Sequence, residues 1–500
     1  MQLVPLVVLV VLVRLMRHRR IRPANLFWYA ANPLVLVYVA GEAHVDIVQA
    51  ALLLTALYAI VIKKPALGFL SIGLAAVSKY VALAVLPFLM ARSNRWAWPV
   101  IVLPALCFLP FGHDVPALFH SLTVFGARMH YNDGLSEIMR VLFGTAGLPM
   151  LVIFLLGWLS ALYLLEHDPL RSAYLAIGSV LLCLPTLHPW YLVLMAPLMV
   201  LYPSRAWLYL MLATIVTLPV LVIEYNTGVF QEIKWLKLIA YVPFYGLLLH
   251  DTIRRKTLQN RAVFEHSQSI SVIVPVLNEE RRIEGVIGSL RAEPDIVEII
   301  VVDGGSDDRT REKARRTGVK VLSGVRGRGH QVNAGIAHAH GDVILVLHAD
   351  TVLLAGSIEH MLKALQTFPS APGGAFKMTF EGQSCRLRMV AWLNNVRAGW
   401  MGISFGDQGQ FFRREALAAI GGFPEMMLME DVELSMRVKR LARPLFIKPG
   451  VRVSTRRWQR TEFFGNVGKV LKLFLRYLLE RRIYGFEGIR GDYYGEYYRR

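Results

Sequence analysis

The sequence predicts a multi-pass α-helical membrane domain followed by an α/β domain built on a Rossmann-like, mainly parallel sheet. Three observations predict it. Residues 1–250 hold 16 Lys and Arg and 9 Asp and Glu, against 39 and 27 in residues 251–500. The charge-poor half is a succession of long apolar runs, whereas the second half alternates short β-branched runs with helical stretches, the pattern of a parallel sheet covered by helices. Several of those β-branched runs also stop abruptly on polar residues, as in "GDVILVLHADT" at 341–351.

Apolar runs lie near 2–13, 26–41, 46–62, 66–91, 98–111, 148–165, 173–187, 189–203, 206–223 and 236–250. The first, "MQLVPLVVLVVLV", precedes "RLMRHRRIR". A signal peptide carries its positive charge before the apolar stretch, so this run reads as a first span. Basic clusters at Arg14 to Arg22, Lys63-Lys64, Arg92/Arg95, Arg205 and Arg254 to Lys256 are expected on the cytoplasmic side. All of them fit there if 66–91 is a hairpin bending near Ser78-Lys79. The stretch "GEAHVD" (41–46), the loop 112–147, "HPW" (188–190) and 224–235 then share the opposite face. That parity makes the protein integral to the cell or inner membrane, with residues 251–500 cytoplasmic. Lys79 inside an apolar run is costly and therefore suspect as functional, as are Glu42, His44 and Asp46 between two spans.

Cys107, Cys183 and Cys385 are isolated, with neither zinc spacing nor a disulfide framework. The formal charge of +19 points to anionic partners. No nucleic-acid module is present in the sequence, so phosphates and lipid head groups lead.

Residues 251–268 read as a basic linker. "SISVIVPVLNEE" (269–280) is an apolar strand ending in Pro275, Asn278 and Glu279, and "VEIIVVDGGSDDRT" (297–310) is a second, ending in Asp303 and a Gly-rich acidic turn. A basic helix (309–317), the strand "VKVLSG" and "GRGHQVNAGIAHAHG" lead into a fourth strand that ends in His348 and Asp350. Open α/β sheets bind ligands outside the carboxyl ends of their strands. One Asp at a strand end is unremarkable, since Asp also caps helices and turns chains. Three polar termini on one edge make a site.

The pieces "PVLNE", "DGGSDDRT", "GRGHQVNAG", "LHAD", "GDQGQFFRR", "GGFPE", "MEDVELSMR" and "RRW" occur in the order found in family 2 glycosyltransferases. Residues 269–460 resemble that family, which implies a GT-A fold. In the first half, "NPLVLVYVAGEAHVD", "GLAAVSKYVALAVLPFLM" and "HPWYLVLMAPL" resemble the polytopic, family-87-type mannosyltransferases of the GT-C class, which use polyprenyl-phosphate sugar. That family carries its catalytic acid in a loop upstream of the NP motif, and this chain has none there. Either the first half is incomplete at its start or it does not catalyse, and no catalysis is expected of it as the chain stands.

The family 2 resemblance implies roles residue by residue. Asp350 is the expected ligand of Mn2+ or Mg2+, with His348 standing where the usual motif has its first Asp. A divalent ion neutralises charge growing on a diphosphate leaving group, and hard oxygen donors suit it. Asp303 is expected to accept from the nucleotide base, Glu279 to hold the ribose, and Arg326 and Arg328 to approach phosphate. Arg457 approaches the diphosphate and Trp458 lines the acceptor side, after Arg456. Asp407 and Gln408 belong to the acceptor side or to a structural turn. Glu430 and Asp431 open an amphipathic helix, where acids also favour the helix dipole. The resemblance makes Asp431 the general base, and one base without a covalent nucleophile implies inversion.

From 466, "NVGKVLKLFLRYLLERR" places Lys469, Lys472, Arg476 and Glu480 on one polar stripe of an apolar helix. An Arg/Tyr-rich end follows, so the tail 461–500 is expected to pack on the domain or, preferably, to lie in the membrane surface. Four segments result: a membrane domain (1–250), a linker (251–268), a transferase domain (269–460) and the tail. The expected activity is transfer from a nucleotide-diphosphate sugar to a lipid-linked or membrane-proximal acceptor. The rivals are a bifunctional enzyme whose membrane half uses polyprenyl-phosphate sugar, and a non-catalytic membrane scaffold retaining a degenerate transferase fold.

Overall fold

The computed structural model describes residues 3–498 apart from 43, 91–95, 115–116, 118–119, 122–129, 229–232, 259–263, 265–268, 383, 456–462 and 490. The chain divides into two units, residues 1–254 with 481–485, and residues 255–480 with 486–500.

The first unit is helical. Its apolar runs form helices that include Val4–Arg19, Asp46–Val61, Pro65–Ser78, Gly147–Leu165, Pro169–Cys183, Arg205–Ile215 and Lys234–Leu258. Proline stands in the first turn of three of them, where its missing N–H costs nothing. Leu12, Leu54, Phe69, Ile177, Met195 and Phe244 are buried in one shared core. Among the described residues, Leu135–Leu165 and Arg205–Thr227 are long and apolar enough to cross a membrane. A third span is present if the bent pair Val35–Gly41 and Asp46–Val61 counts as one. That is fewer than the apolar runs suggest, because polar residues and prolines cut several runs short. Run 66–91 is one of these. It breaks at Lys79, whose backbone is extended (φ −158°, ψ 139°) between the Pro65–Ser78 helix and the Tyr80–Val85 turn.

The second unit is built on one eight-stranded sheet. Its strands are β1 (Ile270–Val276), β2 (Ile296–Asp303), β3 (Lys320–Ser323), β4 (Val343–Val346), β5 (Thr351–Leu353), β6 (Gly373–Phe380), β7 (Gln410–Arg413) and β8 (Leu445–Val453). The order is β3-β2-β1-β4-β7-β6-β8-β5. Strands β3, β2, β1 and β4 run parallel. Beyond them β7 is antiparallel to both its neighbours, β6 and β8 are parallel, and β5 is antiparallel to β8. The sheet is therefore mixed, which corrects the expectation of a mainly parallel one. An apolar run shows that a strand is buried but not which way it runs.

Both faces of the sheet are covered, which explains the unbroken apolar runs of its central strands. Val272 and Val274 of β1 join Ile287, Leu290 and Met361 on one side. Ile273, between them, joins Val332, Val346 and Leu434 on the other, as the two-residue strand period requires.

Candidate active site

Strands β1 and β2 end level, with Val276 paired to Asp303. The loops beyond them are stitched together. Asn278 takes a left-handed turn (φ 56°), its Oδ1 accepts from the Asp307 N–H at 2.9 Å, and its own N–H donates to Ser306 Oγ at 2.9 Å. The Glu279 N–H donates to Thr310 Oγ1 at 2.8 Å. Gln331, on the Arg328–Ile336 helix, donates its amide to the carbonyls of Val276 (3.0 Å) and Val302 (2.8 Å), closing the crevice between the two strands. Gln331 stands inside the quoted "GRGHQVNAG" but was not among the expected site residues.

Asp303 differs from expectation. It is fully buried, and its carboxylate accepts from the N–H groups of Gly305 (3.0 Å) and Ser306 (3.1 Å), from the Ser306 hydroxyl, and pairs with Arg311 at 3.0 Å. The oxygens expected at a base edge are spent inside the turn, because the Gly-rich backbone folds its N–H groups back onto them. Arg326 likewise donates to the Tyr494 hydroxyl at 3.2 Å rather than to an open phosphate site.

The convergence lies on the other side of β1. Pro275, Arg328, His348, Gly406, Glu430 and Asp431 line one small cleft. Glu430 and Asp431 open the Glu430–Leu441 helix, as expected. Asp431 is half-buried, and its carboxylate accepts from the Gly406 N–H (2.7 Å) and the Val432 N–H (2.7 Å). Glu430 is 3 % exposed and faces Arg328 at 3.5 Å, while its Oε2 finds no hydrogen-bond partner among the described residues. Burial and then the neighbouring Asp431 charge push the Glu430 carboxyl up to about 7, with Arg328 opposing them. The helix thus presents one carboxylate that is oriented and open, and one that is buried and under-neutralised.

Gly406 lines the cleft within the 403–408 turn, and one cation organises that turn. Arg397 donates to the Ile403 carbonyl (3.2 Å) and to Gln408 Oε1 (3.0 Å), and its guanidinium lies 3.4 Å from the Phe405 ring centroid. Burial lowers the Arg397 pKa to about 10 against the pull of Asp407 and Asp431. Gln408 is itself fully buried and accepts from the Phe405 N–H at 3.2 Å. It is a brace rather than an acceptor-facing group. Arg397 was not anticipated, since an Arg inside "NNVRAGW" looks like any exposed helical charge.

The expected metal ligands are placed unequally. Among the described residues, Asp350 accepts one long side-chain contact, from Thr351 Oγ1 at 3.4 Å, which leaves hard oxygens available. His348 lies across the cleft wall, where a Cβ on Gly406 would stand 2.8 Å from its Nε2 and 3.6 Å from Asp431 Oδ2. No cluster of three or more His, Cys, Asp or Glu able to hold a metal occurs among the described residues. Asp350 and His348 would therefore supply only part of a divalent ion's shell, and substrate phosphate oxygens would have to supply the rest. The Ser454 N–H donates to the Asp350 carbonyl at 3.1 Å, but Arg456, Arg457 and Trp458 lie outside the described residues.

The Phe463–Tyr484 helix does not lie free. Leu473, Phe474, Tyr477 and Leu478 are buried, and Tyr477 donates to Glu433 at 2.8 Å, one turn beyond Glu430. One face of the tail belongs to the domain, where a membrane-surface position was preferred. A polar stripe does not reveal which flank of the helix meets a partner.

In the first unit, two of the suspect loop acids behave differently. Asp46 is buried, pairs with Lys79, and lies 2.7 Å from His44 Nδ1, whereas Glu42 is exposed. Lys79 also sits 3.9 Å from the Tyr191 ring centroid, next to Trp190, which stacks on His188 at 4.5 Å. A second buried acid, Asp133, pairs with Lys237.

Residues 271–416 match the model of Glycosyl transferase family 2, and residues 2–95 match that of the alpha-(1->6)-mannopyranosyltransferase N-terminal domain. The chain therefore carries a family 2 glycosyltransferase domain behind an N-terminal domain of GT-C mannosyltransferase type. Curated relatives include a 4,4'-diaponeurosporenoate glycosyltransferase of Staphylococcus haemolyticus, 32% identical over 128 residues, 24% of this chain and 33% of the relative. The probable glycosyltransferase YdaM of Bacillus subtilis is 26% identical over 220 residues, 39% of this chain and 52% of the relative. The chain spans only 33% and 52% of the length of these two relatives. Among solved structures, a Pyrobaculum calidifontis mannosyltransferase in complex with GDP-Man and Mn2+ is 19% identical at a TM-score of 0.34, covering 46% of this chain and 69% of that one. A Mycobacterium tuberculosis glucosyl-3-phosphoglycerate synthase in complex with Mn2+, UDP and glucosyl-3-phosphoglycerate is 21% identical at a TM-score of 0.32, covering 45% of this chain and 82% of that one.

Proposed function

We propose that the second unit is an inverting glycosyltransferase that moves a sugar from a nucleotide-diphosphate donor to a hydroxyl of a lipid-linked or membrane-proximal acceptor. The observation that carries this reading is the cleft, lined by Pro275 of β1, that Asp431, oriented by two backbone N–H groups, shares with Arg328 and Glu430. The nucleotide lies over the stitched loops of Asn278 and Asp303, which shape its seat through their backbones. Arg328 draws the diphosphate toward the cleft. Asp350, with His348 as the second candidate ligand, would hold a divalent ion there, which when bound supplies charge neutralisation for the leaving diphosphate. The acceptor hydroxyl enters between Asp431 and the 403–408 wall. As its oxygen attacks the anomeric carbon, its proton passes to Asp431, and the carbon–oxygen bond to the diphosphate breaks to release nucleoside diphosphate. General-base help of this kind contributes on the order of 10²–10⁴-fold.

The test is a donor screen on the purified chain with Mn2+ or Mg2+, reading nucleoside diphosphate release. Release with one donor that depends on Asp431 supports the reading. No release with any donor returns the domain to the scaffold alternative.

A second reading is favoured by the buried Asp46–Lys79 pair beside His44 and by the match over residues 2–95. In it, the first unit uses polyprenyl-phosphate sugar itself. Transfer from such a donor by the Asp431→Asn chain is the result that establishes it, and its absence leaves the first reading alone.

A further inference from the structure

The Cys385–Met401 helix turns large apolar side chains outward. Met389, Trp392, Leu393, Val396 and Trp400 are exposed, the two tryptophans to 62% and 72%. At 3.6 residues per turn these positions fall on one stripe about 100° wide, the width of a helix face that normally meets a core. The opposite side of the same helix is where Val390, Ala391 and Ala398 are buried. Exposed Arg386 and Arg388 fall on either flank of the apolar stripe at its first turn.

We propose that this face is a bilayer-surface anchor, with anionic phospholipid as its occupant. The side chains suit that occupant better than a protein groove. Paired tryptophans sit well at the head-group level, where an amphipathic ring meets both phases. Exposed Arg388 on one flank complements lipid phosphate, within a half-chain that carries 39 basic against 27 acidic residues. The helix is also wired to the cleft. Arg397, on its inner side, holds Ile403, Gln408 and the Phe405 ring, and the same loop donates the Gly406 N–H to Asp431. Phe405 in turn meets Phe474 of the Phe463–Tyr484 helix at 6.0 Å, and that helix exposes a second apolar ridge of Leu471, Leu475 and Leu479. A bilayer against the outer face of Cys385–Met401 therefore lies one helix thickness from the acceptor wall. This position would present a lipid-borne hydroxyl to Asp431, a consequence that rests on the proposed function, whereas the anchor itself does not.

The experiment uses the full chain in nanodiscs of phosphatidylcholine with phosphatidylglycerol, after Cys107→Ser, Cys183→Ser and Cys385→Ser. An environment-sensitive fluorophore is attached through Val396→Cys, or through Lys363→Cys on the exposed side of the Ser357–Thr367 helix as control. Lipids spin-labelled just below the head group are expected to quench most of the emission at 396 and little at 363. Removing phosphatidylglycerol is expected to weaken quenching at 396. Equal quenching at the two positions overturns the anchor. A label at 396 that is shielded from aqueous iodide yet unquenched by the lipids also overturns it, and assigns the face to a protein partner. As a separate readout, Trp392→Glu with Trp400→Glu is expected to abolish quenching and reduce transfer to a bilayer-borne acceptor, with nucleoside diphosphate release to water unchanged. Loss of quenching with full transfer would break the link to the acceptor while leaving the anchor standing.

Discussion

Two buried acids, one in each unit, show how differently a chain can treat a carboxylate. Asp46 in the first unit is paired with Lys79 and lies within 2.7 Å of His44. Glu430 in the second has its cation, Arg328, only at 3.5 Å and carries an acid as its sequence neighbour, while each of the two acids keeps one oxygen without a hydrogen bond among the described residues. A carboxylate held by close opposite charge ties two elements together. One held in a dry cleft beside a second acid is poised to exchange a proton, as at sites that perform acid–base chemistry. Asp46 is thus tied to a close cation, whereas Glu430 is raised beside Asp431, the proposed base.

Four substitutions break or sharpen that contrast. The largest effect is expected from Asp350→Ala, which removes the open hard ligand. Turnover stimulated by Mn2+ or Mg2+ should be abolished with thermal stability retained, measured as nucleoside diphosphate release with and without metal. Undiminished stimulation would move the metal elsewhere. Asp431→Asn is next. It keeps size and hydrogen bonding but not the proton acceptor, so transfer should fall by a factor on the order of 10² or more, roughly 3 kcal/mol of barrier. Donor binding, read by calorimetry, should stay near that of the parent. Glu430→Gln should be milder, and a reversed ranking would shift the base by one residue.

Asp46→Asn tests the other side of the comparison. Breaking a buried pair is costly, but Lys79 is about a third exposed and can rehydrate, so a loss of about 1–3 kcal/mol is expected. It should appear as a lower melting temperature in detergent with nucleotide-sugar turnover per folded molecule unchanged. A collapse of that turnover would give the first unit a part in the donor chemistry.

The smallest effect is a pH dependence. Because the folded Glu430 carboxyl titrates at about 7 against an ordinary 4.5, the folded state holds its proton more tightly than the unfolded one. Its contribution to stability is complete below 4.5 and is lost as pH rises through about 7. Melting temperature should therefore fall across that window in the parent and be flatter in Glu430→Gln. Asp431→Asn, which removes the second cause of the shift, should move the fall to lower pH. Identical slopes in parent and Glu430→Gln would show that Glu430 stays ionised beside Arg328.

The sequence by itself determined where the strands β1, β2 and β4 stop and that Glu430 and Asp431 begin a helix. Those features rest on short-range rules: a buried run of β-branched residues must end where polar atoms begin, and acids favour a helix start. It also marked Lys79 and Asp46 as suspect, because an unpaired charge in an apolar run is costly wherever it lies. The tertiary structure alone decided that these two pair with each other across 33 positions. It decided the antiparallel insertion of β7 between β4 and β6, since side-chain alternation carries no strand direction. It also turned Asp303 inward onto its own backbone, made Gln408 a brace, and set Arg397 at the centre of the 403–408 turn. The physical reason is common to all of these. What a polar side chain does is set by which donor or acceptor comes within about 3 Å of it, and a sequence lists the groups without their distances.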